Sequence, residues 1–301
     1  MKKQQICILG STGSIGTQAL DVIEQHPDRY EAYCLTANNR VDELAAQARK
    51  FNPAAVVIAN EAHYDRLKEL LADMPDIKVY AGADALCQIV EAGPIDMVLT
   101  AMVGFSGLAP TIHAIKARKK ICLANKETLV VAGELVCRLA AENRVPILPV
   151  DSEHSAIFQS IVHSAVQFCD GAVKAQLGVP DMRLPIQYAF SFPDRLPLNG
   201  GRLDLFKQPL EFFEPDLEKF RCLALAFESI KRGGNMPCIV NAANEVVNEG
   251  FRKGRCSFLG MGEIIEKTMA KATFSATPDY DTYIATDAEA RRIAAELMAQ
   301  A

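Results

Sequence analysis

A glycine-rich segment near the start of the chain has the residue types and spacing of a phosphate-binding loop. Gly10, Gly13 and Gly16 follow the apolar run 6–9 and precede the amphipathic stretch 17–25. This order predicts a strand, a tight turn and a helix whose N-terminal amides could bind a pyrophosphate. We expect Gly10 to permit the turn, Gly13 to allow close approach of the ligand, and Gly16 to let the helix pack on the strand. The spacing differs from the commoner G-x-G-x-x-G pattern, so a ligand-free glycine turn is the alternative.

The end of the second apolar run bears on which dinucleotide would bind. An NAD-binding domain usually carries Asp or Glu there, about 20 residues after the loop, to bind the ribose 2'-hydroxyl. Here the sequence is Thr36-Ala37-Asn38-Asn39-Arg40, without an acid. The Arg40 guanidinium could pair with the 2'-phosphate of NADP, or it could equally be a solvated residue at a helix start. The missing acid favours NADP.

Three polar side chains, Asn125, Lys126 and Glu127, come where a later apolar run ends. The carboxyl ends of parallel strands form the ligand-binding edge of an open α/β sheet. Lys126 could therefore contact a phosphate or hydroxyl of a substrate, and Asn125 and Glu127 could bind cofactor or ribose. The alternative is an ordinary helix start, with Asn as the cap and Glu in the first turn.

Two carboxylates, Asp151 and Glu153, follow the last apolar run of the first half. Carboxylates two residues apart on a loop can share a hard divalent cation, which predicts Mg²⁺ or Mn²⁺, with Co²⁺ as a further possibility. Ser152, between them, could bind substrate. Substrate, water or further acids would complete the coordination sphere. Alternatively, Asp151 caps a helix and Glu153 lies in its first turn.

The five histidines divide into two groups. His154 lies in the acidic cluster and His163 opens a predicted antiparallel strand, so both are candidate active-site groups beside Lys126 and Glu153. His26, His63 and His113 are predicted to be surface or helix-packing residues, the commoner role of a lone histidine.

Repeated βα units would position these side chains. Up to about residue 150, short apolar runs alternate with longer amphipathic stretches such as 41–51 and 61–72. This alternation predicts an α/β fold with a doubly wound, Rossmann-like parallel sheet. The predicted strands are 6–9, 33–36, 55–59, 77–80, 97–101, 120–124 and 146–150.

The second half of the chain has a different pattern. Residues 164–177 alternate around Asp170-Gly171, which predicts an antiparallel hairpin, and the Pro- and Gly-interrupted stretch 180–215 predicts irregular structure and linker. Amphipathic helices are predicted near 218–232, 236–252, 261–271 and 287–300. We therefore predict three parts, namely an NADP-binding domain over 1–150, an α+β middle domain and linker over 151–215, and a small helical domain over 216–301.

Composition narrows the class of partner. The 301 residues include 32 basic and 37 acidic side chains, a formal charge of -5 that argues against nucleic acid or an anionic membrane and favours a small molecule. Nine cysteines, odd in number and never spaced as Cys-x-x-Cys, predict reduced thiols in a cytoplasmic protein. The first apolar run is too short for a signal segment, and none approaches the roughly 18 residues of a membrane-spanning helix.

Five motifs together resemble the 1-deoxy-D-xylulose 5-phosphate reductoisomerase family. They are ILGSTGSIG from Ile8, CLANKE from Cys122, LPVDSEH from Leu148, IVHS from Ile161 and NAANE from Asn241. The resemblance implies an NADPH- and metal-dependent homodimeric oxidoreductase of the non-mevalonate isoprenoid pathway. Such an enzyme rearranges 1-deoxy-D-xylulose 5-phosphate to an aldehyde and reduces it to 2-C-methyl-D-erythritol 4-phosphate.

The resemblance also implies a role for each matching position. The implied NADPH contacts are Thr12, Gly13, Ser14, Ile15, Asn38, Arg40, Asn125 and Glu127, with Asn38 and Arg40 near the adenosine end. Lys126 and Ser152 would bind substrate, and Asp151 and Glu153 would bind the metal. His154 and His163 match histidines of the family's active-site region.

The chain departs from this family at the junction of Ser160 and Ile161, where the family carries a large central segment. That segment holds a mobile lid, Gly- and Ser-rich groups that bind the substrate phosphate, and a further carboxylate ligand of the metal. Without it, the resemblance implies weaker transition-state stabilisation. Two alternatives follow, namely a non-catalytic NADPH-binding form and an NADP-dependent semialdehyde dehydrogenase, which would need a nucleophilic cysteine such as Cys122 or Cys169.

Overall fold

The computed structural model describes residues 2–151, 165–175, 179, 181–204 and 214–300. Within them, the first half of the chain forms a seven-stranded sheet in the order β4-β3-β2-β1-β5-β6-β7, and every neighbouring pair is parallel. Its strands are β1 (Gln4–Leu9), β2 (Tyr30–Ala37), β3 (Ala55–Ile58), β4 (Lys78–Ala81), β5 (Met97–Thr100), β6 (Lys120–Leu123) and β7 (Ile147–Pro149). The predicted Rossmann-like fold is confirmed. The strand order reverses between β1 and β5, and open α/β sheets bind their ligands at such a point.

The central strands contain continuous apolar runs because helices cover both faces of the sheet, whereas the edge strand β4 is only half-buried. Residues 6–9 of β1 and residues 56–58 of β3 are completely buried. The helices of this half are α1 (Ser14–Gln25), α2 (Val41–Phe51), α3 (Tyr64–Leu70), α4 (Ala83–Ile89), α5 (Leu108–Lys116) and α6 (Glu127–Asn143). The helix predicted over 61–72 is divided, because Glu61–His63 forms a separate 3₁₀ turn in which the Asn60 side chain accepts a hydrogen bond from the amide of Ala62.

The predicted hairpin is confirmed by the antiparallel pair β8 (Ala165–Gln167) and β9 (Val173–Ala175). In its turn, the Asp170 carboxylate accepts a hydrogen bond from the amide of Ala172 at 2.9 Å. Gly171 has a φ of +86°, a conformation that glycine adopts without strain.

The expectation of irregular structure throughout 180–215 is wrong in part, because Arg183–Ser191 forms helix α7. Pro185 lies in the first turn of this helix, where its missing N–H costs nothing. The helix buries Phe190 in the core of the sheet unit. Its Gln187 contacts His26 at the end of α1, with 3.0 Å between Oε1 and Nε2. His26 thus has the helix-packing role that we predicted.

The last part of the chain is helical, as predicted. Its helices are α8 (Arg221–Arg232), α9 (Met236–Arg252), α10 (Phe258–Lys271) and α11 (Tyr280–Ala299). Arg291 of α11 donates hydrogen bonds to Asp287 at 2.7 Å and to Glu245 of α9 at 2.6 Å. Asn241 donates to the other oxygen of Glu245 at 3.0 Å. Two residues of the NAANE motif therefore belong to a network of charges that joins α9 to α11.

The chain divides into two compact units. One comprises Met1–Lys126 with Arg138–Lys207, and the other comprises Glu127–Cys137 with Gln208–Ala301. The division differs from the three predicted parts because α7 packs on α1 and joins the sheet unit. The boundaries at 150 and 215 stay a prediction. Among the described residues, no helix is long and apolar enough to cross a membrane.

Candidate active site

The glycine-rich loop follows β1 directly, and its first and last glycines are required by close backbone contacts. Gly10 has a φ of +89°, and a Cβ there would lie 2.7 Å from the carbonyl oxygen of Ala101. A Cβ on Gly16 would lie 2.3 Å from the carbonyl oxygen of Gly10 and 2.5 Å from the Cα of Ser11. Gly10 thus allows the turn to pass β5, and Gly16 allows α1 to pack on the loop. Both observations agree with the roles expected from the sequence.

Gly13 differs from these two glycines because a Cβ at this position would meet only one neighbouring atom. A Cβ there would have one neighbour within 4 Å, the carbonyl oxygen of Gly10 at 3.4 Å. Gly13 is also the N-cap of α1, and no side chain caps the first turn, which contains no acidic residue. The first amides of a helix have no intrahelical partner, so this turn can bind an anion that approaches past Gly13.

Two residues outside the loop, Thr36 and Gln47, hold it in place, and neither was predicted to do so. The amide of Ser11 donates to the carbonyl oxygen of Thr36 at 2.8 Å, and the amide of Gly10 donates to the Thr36 hydroxyl at 2.9 Å. The Ser11 hydroxyl donates to Gln47 Oε1 at 2.7 Å, and Gln47 Nε2 donates back to the Ser11 carbonyl at 2.9 Å. These contacts depend on the pairing of β1 with β2, which cannot be read from the sequence pattern.

A cleft of about 550 Å³ opens over the carboxyl ends of β1, β2 and β5. Its polar end is formed by Asn38, Asn39 and Arg40, after β2. Its apolar wall includes Leu86, Ala109 and Pro110, and the remaining sides include Gly10, Thr12, Gly13, Ala101, Met102 and Ser106. The volume lies in the range of ligand pockets, and the arrangement offers an apolar surface to a base and backbone amides to phosphates. Ser14, Ile15 and Gly16 continue from this lining into the first turn of α1.

Arg40 lies at the polar end of this cleft. Its Nη1 donates to the carbonyl oxygen of Thr12 and to Glu43 Oε2, each at 3.1 Å. The side chain is 63% exposed and immediately precedes α2. The contact with Thr12 holds the guanidinium next to the glycine-rich loop, within reach of a ligand there.

Asn125 is almost completely buried, and its side chain organises the loop that follows β5. Its Nδ2 donates to the carbonyl oxygens of Met102 and Gly104, each at 2.9 Å. A Cβ on Gly107 would lie 2.7 Å from Asn125 Oδ1, so the two residues are closely packed. Asn125 therefore supports a wall of the cleft, and its direct contact with cofactor stays a prediction.

An Asn125→Leu variant is expected to be destabilised by about 2 kcal/mol and to bind dinucleotide more weakly, because two backbone carbonyls lose their donor. Urea unfolding and a dinucleotide titration would measure the two effects. Asn143→Leu is the control, because Asn143 makes a local bond to the carbonyl of Leu139 near the end of α6. Equal losses in the two variants would contradict the role of Asn125.

The other predicted strand-end residues follow the neighbouring strands β6 and β7. Leu123 and Pro149 are paired in register, and the amide of Val150 donates to the carbonyl of Leu123 at 2.8 Å. Asp151 follows, and its side chain is buried, whereas Lys126 is exposed. The fold thus brings Asp151 and Lys126 to the same edge of the sheet, as expected from parallel strands.

Of the predicted metal ligands and their neighbours, only Asp151 lies within the described residues. Ser152, Glu153, His154 and His163 lie outside the described residues, so their predicted roles stay predictions. Within the part of the chain that the structure describes, no three His, Cys, Asp or Glu side chains are grouped closely enough to hold a metal ion. A buried carboxylate at the ligand-binding edge of the sheet fits a hard divalent cation, which needs further oxygen donors.

Two family models match the chain. Residues 6–133 match 1-deoxy-D-xylulose 5-phosphate reductoisomerase, and residues 177–293 match the DXP reductoisomerase C-terminal domain. The interval between these matches contains the junction of Ser160 and Ile161. The first match covers the glycine-rich loop and the cluster from Asn125 to Glu127.

Curated relatives are similar over almost the whole chain. The 1-deoxy-D-xylulose 5-phosphate reductoisomerase of Bacteroides thetaiotaomicron is 55% identical, with 99% of this chain and 98% of the relative covered. That of Porphyromonas gingivalis is 44% identical, with 98% of each covered. The first alignment extends over 383 positions, whereas this chain has 301 residues. The relative therefore contains residues without a counterpart here, and their place at the junction of Ser160 and Ile161 stays a prediction.

Solved structures are similar in fold. The 1-deoxy-D-xylulose 5-phosphate reductoisomerase of Zymomonas mobilis in complex with NADPH superposes with a TM-score of 0.91 at 34% identity, with 99% of both chains covered. A DOX-P reductoisomerase in complex with NADPH, fosmidomycin and magnesium also gives 0.91, at 28% identity, with 98% of both chains covered.

Proposed function

The chain belongs to the 1-deoxy-D-xylulose 5-phosphate reductoisomerase family, and we propose that it converts 1-deoxy-D-xylulose 5-phosphate to 2-C-methyl-D-erythritol 4-phosphate with NADPH. The observation that carries this proposal is the cleft at the uncapped start of α1, in a chain 55% identical to a curated enzyme of this activity. The neighbours solved with NADPH and magnesium support both cofactors. The reaction belongs to isoprenoid biosynthesis.

The residues of the cleft would bind and orient the cofactor. When bound, NADPH supplies a hydride for the reduction. The amides of the loop from Gly10 to Gly16 would hold its pyrophosphate, and Thr12, Ser14 and Ile15 would contact it from the same turn. Asn38 and Arg40 would lie beside the adenosine ribose, with Arg40 paired to the 2'-phosphate. Asn125 and Glu127 would complete the site from the next strand ends.

The residues at the ends of β6 and β7 would bind the substrate. A divalent cation, magnesium or manganese, would be held by Asp151 and Glu153 and would supply Lewis acidity at the substrate carbonyl. Lys126, exposed at the same sheet edge, would bind a phosphate or hydroxyl oxygen, and Ser152 would bind the substrate beside it. His154 and His163 would be active-site groups. The chemistry requires that these groups hold the substrate beside the cofactor.

The function is tested by following NADPH oxidation in the presence of 1-deoxy-D-xylulose 5-phosphate and Mg²⁺ or Mn²⁺. We expect oxidation that requires both substrate and metal, with 2-C-methyl-D-erythritol 4-phosphate identified by mass spectrometry. Folded protein that binds NADPH but shows no turnover would contradict the catalytic proposal and support the non-catalytic form. The relatives named above favour the enzyme over that form.

A second protein makes this test sharper. The resemblance places the family's central segment between Ser160 and Ile161, so the corresponding segment of the Bacteroides thetaiotaomicron relative can be inserted at that junction. If the inserted variant turns over faster than the parent chain while both bind NADPH equally, the shortened centre limits the rate. Equal rates would show that the parent chain completes its site without these residues.

The semialdehyde dehydrogenase alternative needs a reactive cysteine, and Cys122 does not provide one. Complete burial raises the pKa of the Cys122 thiol to about 12, although Lys120 lowers it slightly. The Sγ donates weakly to the carbonyl of Ala189 at 3.8 Å. Cys169, in the turn between β8 and β9, is exposed. A thiol that stays protonated is a poor nucleophile.

Alkylation by iodoacetamide near pH 8 is expected to leave Cys122 unmodified and NADPH-dependent activity intact, while Cys169 is labelled. Peptide mass spectrometry before and after unfolding would measure the labelling, with the unfolded protein as the positive control. Loss of activity that parallels labelling of either residue would favour the dehydrogenase.

We propose that the protein is cytoplasmic and forms a homodimer, and the two proposals rest on different observations. All nine cysteines are free thiols, which supports a reducing compartment, the cytoplasm. We propose a homodimer from the family resemblance, and a small-molecule substrate without nucleic acid or membrane partners from the net charge of -5. Sedimentation of the whole chain would measure the assembly.

A further inference from the structure

A second cavity, of about 160 Å³, adjoins the polar end of the cofactor cleft. The two cavities share Asn39 and Arg40 as lining residues, and the second also includes His63 and Arg66. An acid at the end of the second strand of an NAD-binding domain would bind the ribose 2'-hydroxyl. In this chain, that position opens into a cavity lined by Arg40, His63 and Arg66 together with the carboxylates of Asp42 and Glu43.

Hydrogen bonds between two loops bring His63 to this place. The amide of Ala59 donates to the carbonyl of Ala37 at 2.8 Å, and the amide of Asn60 donates to the carbonyl of Asn38 at 3.2 Å. Asn60 Nδ2 donates to Asn39 Oδ1 at 2.8 Å. The loop after β3 is thereby fixed along the loop after β2, because Asn60 bonds to it through both backbone and side chain.

The turn that begins at Asn60 then carries His63 and Arg66 to the cavity. The amide of His63 donates to the carbonyl of Asn60 at 3.0 Å, and α3 starts at the next residue. Arg66 lies in the first turn of α3. A short and well-bonded path therefore joins the end of β2 to both basic side chains.

The cations of this cavity are held by exposed carboxylates. Arg66 Nη2 donates to Asp42 Oδ1 and Oδ2 at 2.7 and 2.8 Å, and Arg40 is paired with Glu43. All four side chains are more than half exposed, and ion pairs in water contribute little to stability. A phosphate dianion with three acceptor oxygens can therefore compete for guanidinium groups that are already oriented toward the cavity.

We propose that His63 and Arg66 form the outer wall of a subsite for the adenosine 2'-phosphate of NADPH, opposite Asn39 and Arg40. This inference rests on the proposed use of NADPH. It makes His63 and Arg66 residues that determine cofactor specificity and do not take part in the reaction. It gives His63 a ligand-binding role in addition to the surface or helix-packing role predicted from the sequence.

The inference is tested by calorimetric titration of the whole chain with adenosine 2',5'-bisphosphate and with adenosine 5'-monophosphate. Arg66→Met is expected to raise the Kd of the bisphosphate about 10-fold and that of the monophosphate less than about 2-fold. His63→Leu is expected to raise the Kd of the bisphosphate about 3-fold, because one hydrogen bond is lost. Since both side chains lie at the surface, neither variant is expected to change the unfolding temperature.

Lys68→Met is the matched control. Lys68 lies on the same helix as Arg66 and is exposed, but it does not line the cavity. Its loss is expected to change both affinities less than about 2-fold, since exposed charges interact weakly at this distance. An Arg66→Met variant that behaves like Lys68→Met, or that weakens both nucleotides equally, would overturn the inference.

The two proposals fail in different ways. If the unmodified chain binds the bisphosphate no more tightly than the monophosphate, both the NADPH assignment and this subsite are wrong. If the unmodified chain prefers the bisphosphate but Arg66→Met and His63→Leu keep that preference, only the subsite is wrong.

Discussion

A Gly16→Ala variant is expected to lose dinucleotide binding and to be destabilised by about 3 kcal/mol, since its new Cβ would overlap backbone atoms. The nearest are the carbonyl oxygen of Gly10 at 2.3 Å and the Cα and carbonyl carbon of Ser11 at 2.5 and 2.6 Å. Backbone atoms cannot turn aside as a flexible side chain can. Either α1 moves away from the loop or the loop changes shape, and both disturb the anion-binding turn. Urea unfolding and NADPH titration would measure the two losses.

Gly13→Ala is the matched comparison because it adds the same methyl group three residues earlier. Its Cβ would meet only the Gly10 carbonyl oxygen, at 3.4 Å, so we expect stability within about 0.5 kcal/mol of the parent. NADPH affinity is nevertheless expected to fall by at least about 10-fold, because the methyl group occupies the face from which the pyrophosphate would approach. If Gly13→Ala binds NADPH normally, the dinucleotide does not approach past this residue. If Gly16→Ala is as stable as Gly13→Ala, the packing explanation is wrong.

The sequence predicts most of the parallel sheet because its strands are buried on both faces. A strand covered by helices has to be a continuous apolar run, and β3, β5 and residues 6–9 of β1 are such runs. The strand order is not contained in this pattern. It depends on which strands pair, and it is the pairing of β1 with both β2 and β5 that creates the cleft.

Helix α7 shows where local patterns mislead. The surrounding segment contains several prolines and glycines, which favour turns, and it therefore predicts irregular structure. Pro185 lies in the first turn, where a helix tolerates proline, and burial of Ile186 and Phe190 in the core stabilises the helix. Burial of this kind depends on residues distant in sequence.

The candidate site was predictable where its function depends on a residue type. A glycine is required at Gly10 and Gly16, and a carboxylate at Asp151 is typical of a metal ligand, so both could be identified without a fold. The hydrogen bonds by which Gln47 supports the loop and Asn125 supports the cleft wall could not be predicted in this way. They join segments that are distant in sequence, and no characteristic residue spacing marks such bonds. For the same reason, the sequence does not predict that Arg66 and Arg40 line the same cavity.

An Asp151→Asn substitution is expected to lower the turnover rate by at least about 100-fold. It is made in the parent chain or in the variant with the inserted segment, depending on which of the two is active. Asp151 is buried at the end of β7, and asparagine keeps its shape while removing the negative charge that a divalent cation requires. NADPH affinity is expected to change less than about 2-fold, because Asp151 does not line the cofactor cleft. Steady-state rates and NADPH titration would separate the two effects.

Metal binding itself gives a readout that does not depend on turnover. A ligand that binds the folded state raises the unfolding temperature, so Mg²⁺ in the presence of substrate is expected to stabilise the parent protein and not Asp151→Asn. Asp96→Asn is the control. Asp96 lies at the opposite, amino-terminal edge of the sheet, where it accepts a hydrogen bond from the amide of Gln5 at 2.8 Å that asparagine can also accept. Equal stabilisation of Asp151→Asn and Asp96→Asn by Mg²⁺ would show that the cation is held elsewhere, and the proposed role of Asp151 would then be wrong.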